Sequence, residues 1–291
     1  MSELKQARSI EEFFGKISRM VTDEGRAYAK TFSPRSNDIL ISTFAKAGTT
    51  WMQQIVHGLR TGGDMNFEEI TFAVPWIEMA YDLNLDLSAE QLAQPRAFKT
   101  HDNWEQVAKG CRYIYIMRNP LDTAVSMYNF MNGWFIEKDA VSLEEYVTTV
   151  VANSPYWQHL LSWWPQRNDP DILFLTYEGM KADHLGTVKR VAKFMDIDKD
   201  SEAIAIATEQ STFEFMNTHN NQFDDNIVVN ARNEAAGLPA HAKTSKVQTG
   251  KTGAHKQALN EELKTLLNNI WNDCIETKLG FSNYDKLIDT L

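Results

Sequence analysis

A chain of 291 residues that is 43% hydrophobic and 23% charged can bury one large core or two small ones, and it needs no disulfide framework to do so. A formal net charge of −10 argues against non-specific nucleic-acid binding, although it leaves room for a local basic pocket. No apolar run reaches the roughly 18 residues of a membrane span, and the first residues, MSELKQARSIEEFFGKI, mix charges without an apolar segment, so a cytoplasmic protein is expected.

In chain order, Ile10, Phe13, Phe14 and Ile17 recur at helical spacing. They predict an N-terminal helix packed on the body, and the polar SPRSND then completes a leading segment of about 36 residues. DILIST (38–43) is a first buried strand and TTWMQQIVHGL a helix from about Thr49 to Leu59; the tight loop FAKAGTTW joins them. FEEITFAVPWIEMAYDLNLDL is apolar and aromatic without clear periodicity, which fits loops and short helices around a pocket and fits core filling equally well. PRAFKTH (95–101) and CRYIYIMRNP (111–120) are second and third strands, the latter continuously apolar as in a parallel sheet covered on both faces. Asn119 and Pro120 then make a helix start, as N-cap and first helical residue. DILFLTYEGM (171–180) is a fourth strand, followed by a helix with Leu185, Val188, Val191 or Ala192, and Met195 on one face. Residues 217–256 are polar and irregular, as in a lid, and EELKTLLNNIWNDCIETKLGF closes the chain as a helix. Strands alternating with helices predict a single α/β domain over 1–291 with a mostly parallel sheet. Cys111 and Cys274 read as buried thiols rather than a bridge, and no histidine or cysteine cluster has metal-ligand spacing, so no metal is expected.

Ligands of parallel α/β sheets bind at the carboxyl ends of strands. Four ends carry reactive types here: Lys46, Gly48, Thr49 and Thr50 after the first strand, Lys99 and His101 after the second, Arg118 with Ser126 after the third, and Tyr177 after the fourth. The first loop has the makings of an anion site, with helix N–H groups, a glycine for close approach, two hydroxyls and a lysine. Trp51, just behind it, suits either stacking on a base or core packing. The loop does not match GxxxxGK[ST], and the GKT at 250–252 has Ser245 where that pattern needs its first glycine.

TFAKAGTTW resembles the 5′-phosphosulfate loop of the cytosolic sulfotransferases, close to TYPKSGTTW. RNPLDTAVSMYNF resembles their 3′-phosphate segment RNxxDxxVS, PRAFKTH the segment ending in their catalytic histidine, and LTYEGMKAD their YEDMK-like segment. STFEFM (211–216) and the glycine pair of TGKTGAHK are weaker matches in the same order. The resemblance implies one α/β domain with a P-loop-like phosphate-binding loop, and 3′-phosphoadenosine 5′-phosphosulfate (PAPS) as donor without a metal. It implies a hydroxyl- or amine-bearing small-molecule acceptor. His101 would be the general base, Lys46 would stabilise the leaving group, and Lys99 would support the transferring group. Gly48, Thr49 and Thr50 would hold the 5′-phosphate, and Arg118 and Ser126 the 3′-phosphate. Trp51, Tyr177 and Phe213 would surround adenine, with Ser211 near the base. The family's RKGxxG is departed from, since Gln248 and Thr249 stand where its arginine and lysine would be. Lys251, between Gly250 and Gly253, is the candidate replacement. The family's dimer motif KxxxTVxxxE is not recognisable after Lys256, which leaves the oligomeric state open.

Phe72, Trp76, Met79, Tyr81, Phe130 and Trp134 are candidates to line an apolar acceptor pocket, which favours a lipophilic alcohol, phenol or glycolipid. Two other readings stay open. A nucleotide-dependent phosphotransferase would require Mg²⁺, for which Asp122 is the nearest candidate ligand. A non-catalytic nucleotide-binding protein would need neither Lys46 nor His101.

Overall fold

The computed structural model describes residues 4–198, 200–247 and 250–291. Its centre is a parallel sheet of four strands in the order β2-β1-β3-β4, formed by β1 (Ile39–Thr43), β2 (Ala97–Thr100), β3 (Arg112–Met117) and β4 (Ile172–Thr176). Alternation along each strand divides the core between two faces. Ile39, Ile41, Ile114, Ile116 and Leu175 pack with Met52, Ile55, Val56 and Leu59 of α3 (Thr49–Thr61) and with Val188 and Val191 of the helix His184–Phe194. Leu40, Phe98, Tyr113, Tyr115 and Phe174 face the other way, where Trp163 stacks on Tyr115 at 5.0 Å.

The strand order sets the location of the site. The chain leaves β1 for β2 on one side and then crosses to β3 on the other, so the loops after β1 and β3 diverge. Such a switch point opens a crevice at the carboxyl edge.

The leading segment forms two helices, α1 (Ile10–Ile17) and α2 (Asp23–Ala29), capped by Ser9 and Thr22. Ile10 and Phe13 are buried as expected, but Phe14 stays 47% exposed at the rim of an apolar groove, because an eight-residue helix lying on the body buries only one stripe. Leu185 likewise is exposed, while Val188, Val191, Ala192 and Met195 are buried. The polar stretch expected to be irregular contains the helix Asn226–Arg232, whose Val228 and Val229 are buried. The C-terminal helix runs through a π-turn at 272–276 and ends at Gly280, whose φ of 79° is the left-handed stop. Cys111 and Cys274 are both free thiols; Cys111 is buried as expected, but Cys274 is only half-buried.

One buried ion pair fastens the entry of β1 to that of β2. Arg96 donates from Nη2 and Nε to the two oxygens of Asp38 at 2.6 and 3.1 Å, and from Nη1 to the carbonyls of Leu87, Ser88 and Ala89. Both residues are almost wholly buried. Truncating one partner of such a pair leaves the other charge uncompensated. Arg96→Met is therefore expected to cost about 3–5 kcal/mol in urea unfolding; a loss below about 1 kcal/mol would show that the pair is not needed.

Candidate active site

The loop after β1 is shaped by two left-handed residues, Lys46 at φ 68° and Gly48 at φ 109°. A Cβ on Gly48 would sit 3.0 Å from the Tyr177 ring, so position 48 takes glycine for both conformation and space. No side chain caps α3, and its first intrahelical bond is from Met52 N to the Gly48 carbonyl. The N–H groups of Thr49, Thr50 and Trp51 are thus left at the positive end of the helix, as an anion site requires. The Thr43 and Thr49 hydroxyls hydrogen-bond at 2.5 Å across the base of the loop.

The loop opens into a cavity of about 620 Å³ at the carboxyl edge of the sheet. The strand-end residues singled out in the sequence converge on it: Lys46, Gly48, Thr49, Thr50, Trp51, Lys99, His101, Arg118, Ser126 and Tyr177 all line it, with Ser211, Phe213, Gly250 and Lys251 from the later segments. Arg118 is buried and joins three of these pieces. Its Nη1 donates to the Lys46 carbonyl at 3.0 Å, its Nη2 to the Lys251 carbonyl at 3.2 Å, and its guanidinium lies 4.3 Å over the Tyr177 ring. Trp51 is half-buried and donates from Nε1 to the Ser211 carbonyl at 2.8 Å, with Tyr177 and His184 edge-on or tilted beside it. Gly250, at φ 57°, packs so close to Phe213 that a Cβ there would come within 2.7 Å of the ring. Gln248 and Thr249 lie outside the described residues.

Two lysines and a histidine also line the cavity. Lys46 Nζ lies 3.9 Å over the Phe130 ring and Lys99 Nζ 4.1 Å over the Trp76 ring. Burial, and then the neighbouring ammonium of Lys246, lower each to about 7. His101 places Nδ1 2.8 Å from the Thr43 carbonyl. A carbonyl only accepts, so Nδ1 carries the proton and Nε2 keeps its lone pair. Burial and then Lys99 lower the imidazole to about 3, so it is neutral at neutral pH. Glu78 accepts from the His101 backbone N–H and from Thr100 Oγ1; burial, then Asp102, raise its carboxyl to about 7.

Of the six candidate acceptor residues, Trp76, Met79, Phe130 and Trp134 line the cavity. Phe72 and Tyr81 do not: Phe72 is 44% exposed on the short helix Ile70–Ala73, and Tyr81 is 51% exposed and packs on Tyr28. Asp122 is not available as a metal ligand in this arrangement, because its two oxygens accept from Gly253 N, His255 N and His255 Nδ1 at 2.6–3.1 Å and staple the segment after Gly250 to the helix Pro120–Met131. Sequence reasoning missed Lys181, His184, Asp225 and Lys246, which also line the cavity. Asp225 and Lys246 fall in the polar stretch, where no periodicity or strand end marks them.

A profile of the sulfotransferase domain matches residues 36–280. Sulfotransferase 1B1 of the dog (Canis lupus familiaris) is 33% identical over 245 residues, covering 77% of this chain and 79% of its own. Human sulfotransferase 1C2 is 29% identical, covering 74% of this chain and 77% of its own. Among solved structures, retinol dehydratase in complex with retinol and PAP superposes with a TM-score of 0.67 at 21% identity, over 88% of each chain, a likeness of fold.

Polyanion binding to this cavity must draw protons in. Lysines lowered to about 7 are mostly neutral at alkaline pH, and an anion beside them restores the charged form. Calorimetry of pyrophosphate at about pH 8.5, in buffers of differing ionisation enthalpy, should report uptake of up to one proton per lysine. Heats that do not depend on the buffer would contradict the assigned lysine environments.

Proposed function

The chain belongs to the sulfotransferase family, and on that premise we propose that it moves a sulfuryl group from PAPS to a hydroxyl of a lipophilic small molecule or glycolipid. PAPS supplies the sulfur as a mixed anhydride with phosphate. The residues present suit its anionic character: uncapped N–H groups of α3, the guanidinium of Arg118, and the lysines Lys46 and Lys99. One observation carries the reading. The open Nε2 of His101 and the ammonium groups of Lys46 and Lys99 share the cavity into which the phosphate-binding loop opens.

In this reading the acceptor hydroxyl gives its proton to His101 Nε2 as its oxygen bonds to sulfur. The bond from sulfur to the bridging oxygen breaks, and Lys46 stabilises the charge that collects on that oxygen. Lys99 steadies the sulfuryl oxygens in passage. Gly48, Thr49 and Thr50 hold the 5′-phosphate, Arg118 and Ser126 the 3′-phosphate, and Trp51, Tyr177 and Phe213 enclose the adenine beside Ser211. Lys251 supplies part of the cationic 3′-phosphate site that the missing arginine and lysine would make. Trp76, Met79, Phe130 and Trp134 form the apolar wall for the acceptor.

The donor is tested by calorimetry with 3′-phosphoadenosine 5′-phosphate (PAP), 5′-AMP and ATP in EDTA. PAP alone is expected to bind tightly; binding of ATP only after Mg²⁺ is added would instead support a phosphotransferase. His101→Ala should lower turnover about 10²–10⁴-fold while PAP still binds. Lys251→Ala is expected to weaken PAP about tenfold at low salt, the loss of one charge-assisted contact. Unchanged PAP affinity would remove Lys251 from the 3′-phosphate site.

A further inference from the structure

The hydroxyl of Ser211, which the sequence offers as a contact for the base, is already committed within the fold. Ser211 follows the helix Ser201–Gln210 as its C-cap and is 1% exposed. Its Oγ lies 2.5 Å from the Ala207 carbonyl and 2.8 Å from His184 Nε2. A carbonyl only accepts, so the single hydroxyl proton goes to Ala207. Ser211 Oγ then accepts from His184, which puts the imidazole proton on Nε2. Burial, and then the Lys181 ammonium, hold His184 below its ordinary value. The ring is therefore neutral at neutral pH, and Nδ1 keeps its lone pair.

His184 opens the helix His184–Phe194 after the N-cap Asp183, and its half-buried ring lines the cavity. Among the described residues Nδ1 has no hydrogen-bond partner, and it is reachable from solvent. The ring centroid lies 5.4 Å from that of Trp51, at a tilt of 50°. Trp51 is held by the same serine, because its Nε1 donates to the Ser211 carbonyl at 2.8 Å. One buried residue thus fixes both rings, the indole through its carbonyl and the imidazole through its hydroxyl. The indole N–H and the serine O–H are spent on that bracket, and the acceptor nitrogen of His184 is not. An aromatic face beside the N–H groups of α3 suits a nucleobase, and an acceptor nitrogen next to that face suits an exocyclic amine. An oxo group in the same place would set lone pair against lone pair.

We propose that His184 Nδ1 accepts a hydrogen bond from the 6-amino group of the donor's purine, so that this histidine, and not the Ser211 hydroxyl, makes the site select a 6-amino purine over a 6-oxo purine. This rests on the PAPS-dependent reading above and assigns a specificity-determining residue within it.

The test is calorimetry in EDTA at neutral pH with PAP and with its deamination product, 3′-phosphoinosine 5′-phosphate. The unaltered protein should bind PAP about tenfold or more tightly than the inosine compound. In His184→Phe, which keeps a flat ring and loses the acceptor, that ratio should fall to about unity, chiefly through weaker binding of PAP. His184→Gln, whose amide can donate to Ser211 and accept from the base, should keep PAP ahead. Pyrophosphate binding to each variant reports whether the phosphate loop is intact, and His184→Leu replaces His184→Phe if the phenyl ring does not fit. Tight PAP binding with a ratio near unity in the unaltered protein overturns the assignment and leaves the donor reading standing. A preference that survives in folded His184→Phe also overturns it. So does a loss in His184→Gln as complete as in His184→Phe, which would point to packing of the ring. Failure of the unaltered protein to bind PAP removes both readings.

Discussion

The guanidinium of Arg118 is the joint on which the site depends. It sits where β3 ends beside the switch point, and it reaches backbone carbonyls at Lys46 and Lys251, which are 72 and 133 residues away in sequence. Its flat face lies on Tyr177, and its own carbonyl accepts from the buried Tyr156 hydroxyl at 2.6 Å. Planarity matters here. Two donors of one fork hold two loops at a fixed separation while the ring below fixes the plane, and an ammonium on a flexible stem has no equivalent geometry. The phosphate-binding loop, the segment at Gly250 and the helix beginning at Tyr177 are therefore positioned against one another by a single side chain. Asp122 adds a second fastening a turn further on, through Gly253 and His255.

With those walls fixed, the cavity holds more cations than anions although the chain as a whole is acidic. Phe130 and Trp76 offer ring faces to Lys46 and Lys99, which replaces part of the lost hydration. Burial alone would raise the Asp225 carboxyl, but Lys246, Lys99 and Lys46 together hold it below the ordinary aspartate value. One carboxylate serves three ammonium groups. Burial, and then the ammonium of Lys246, weakens the proton affinity of Lys46 and Lys99, and an anion beside them favours their charged form.

How much of this was legible in the sequence follows from which physical signals are local. Short strand-like segments, continuously apolar only in the third, marked the four strands, and each strand end delivered its reactive residues, because a parallel sheet aligns its carboxyl ends by construction. Gly48 was legible because a loop that holds an anion calls for close backbone approach, and the left-handed φ of 109° adds a second reason for glycine. The apolar lining of the cavity was legible only in part: Trp76 and Met79 line it while Phe72 and Tyr81, a few residues away in the same aperiodic stretch, are exposed. Without periodicity, neighbouring aromatic residues cannot be assigned to a side. Asp225 and Lys246 were illegible for a different reason. Charged residues in a polar loop read as solvated, and only the burial of the helix Asn226–Arg232 through Val228 and Val229 carries Asp225 inward.

The charge state of His101 bears on the proposed reaction. An imidazole lowered to about 3 by burial and by Lys99 is a poor proton acceptor at neutral pH, since a general base works best with a pKa near the operating pH. Its geometry is already set, because Thr43 holds Nδ1–H and Glu78 holds the backbone N–H of the same residue. What is missing is negative charge. A polyanion in the loop after β1 supplies it twice over, by its own field at the imidazole and by neutralising the ammonium groups that repel a third proton. In the proposed reaction, proton affinity at Nε2 would therefore rise when the donor site fills, and an acceptor hydroxyl would meet an effective base only then. If His101 is the base of the proposed reaction, its place beside the two lysines would couple deprotonation of the acceptor to the presence of something to transfer.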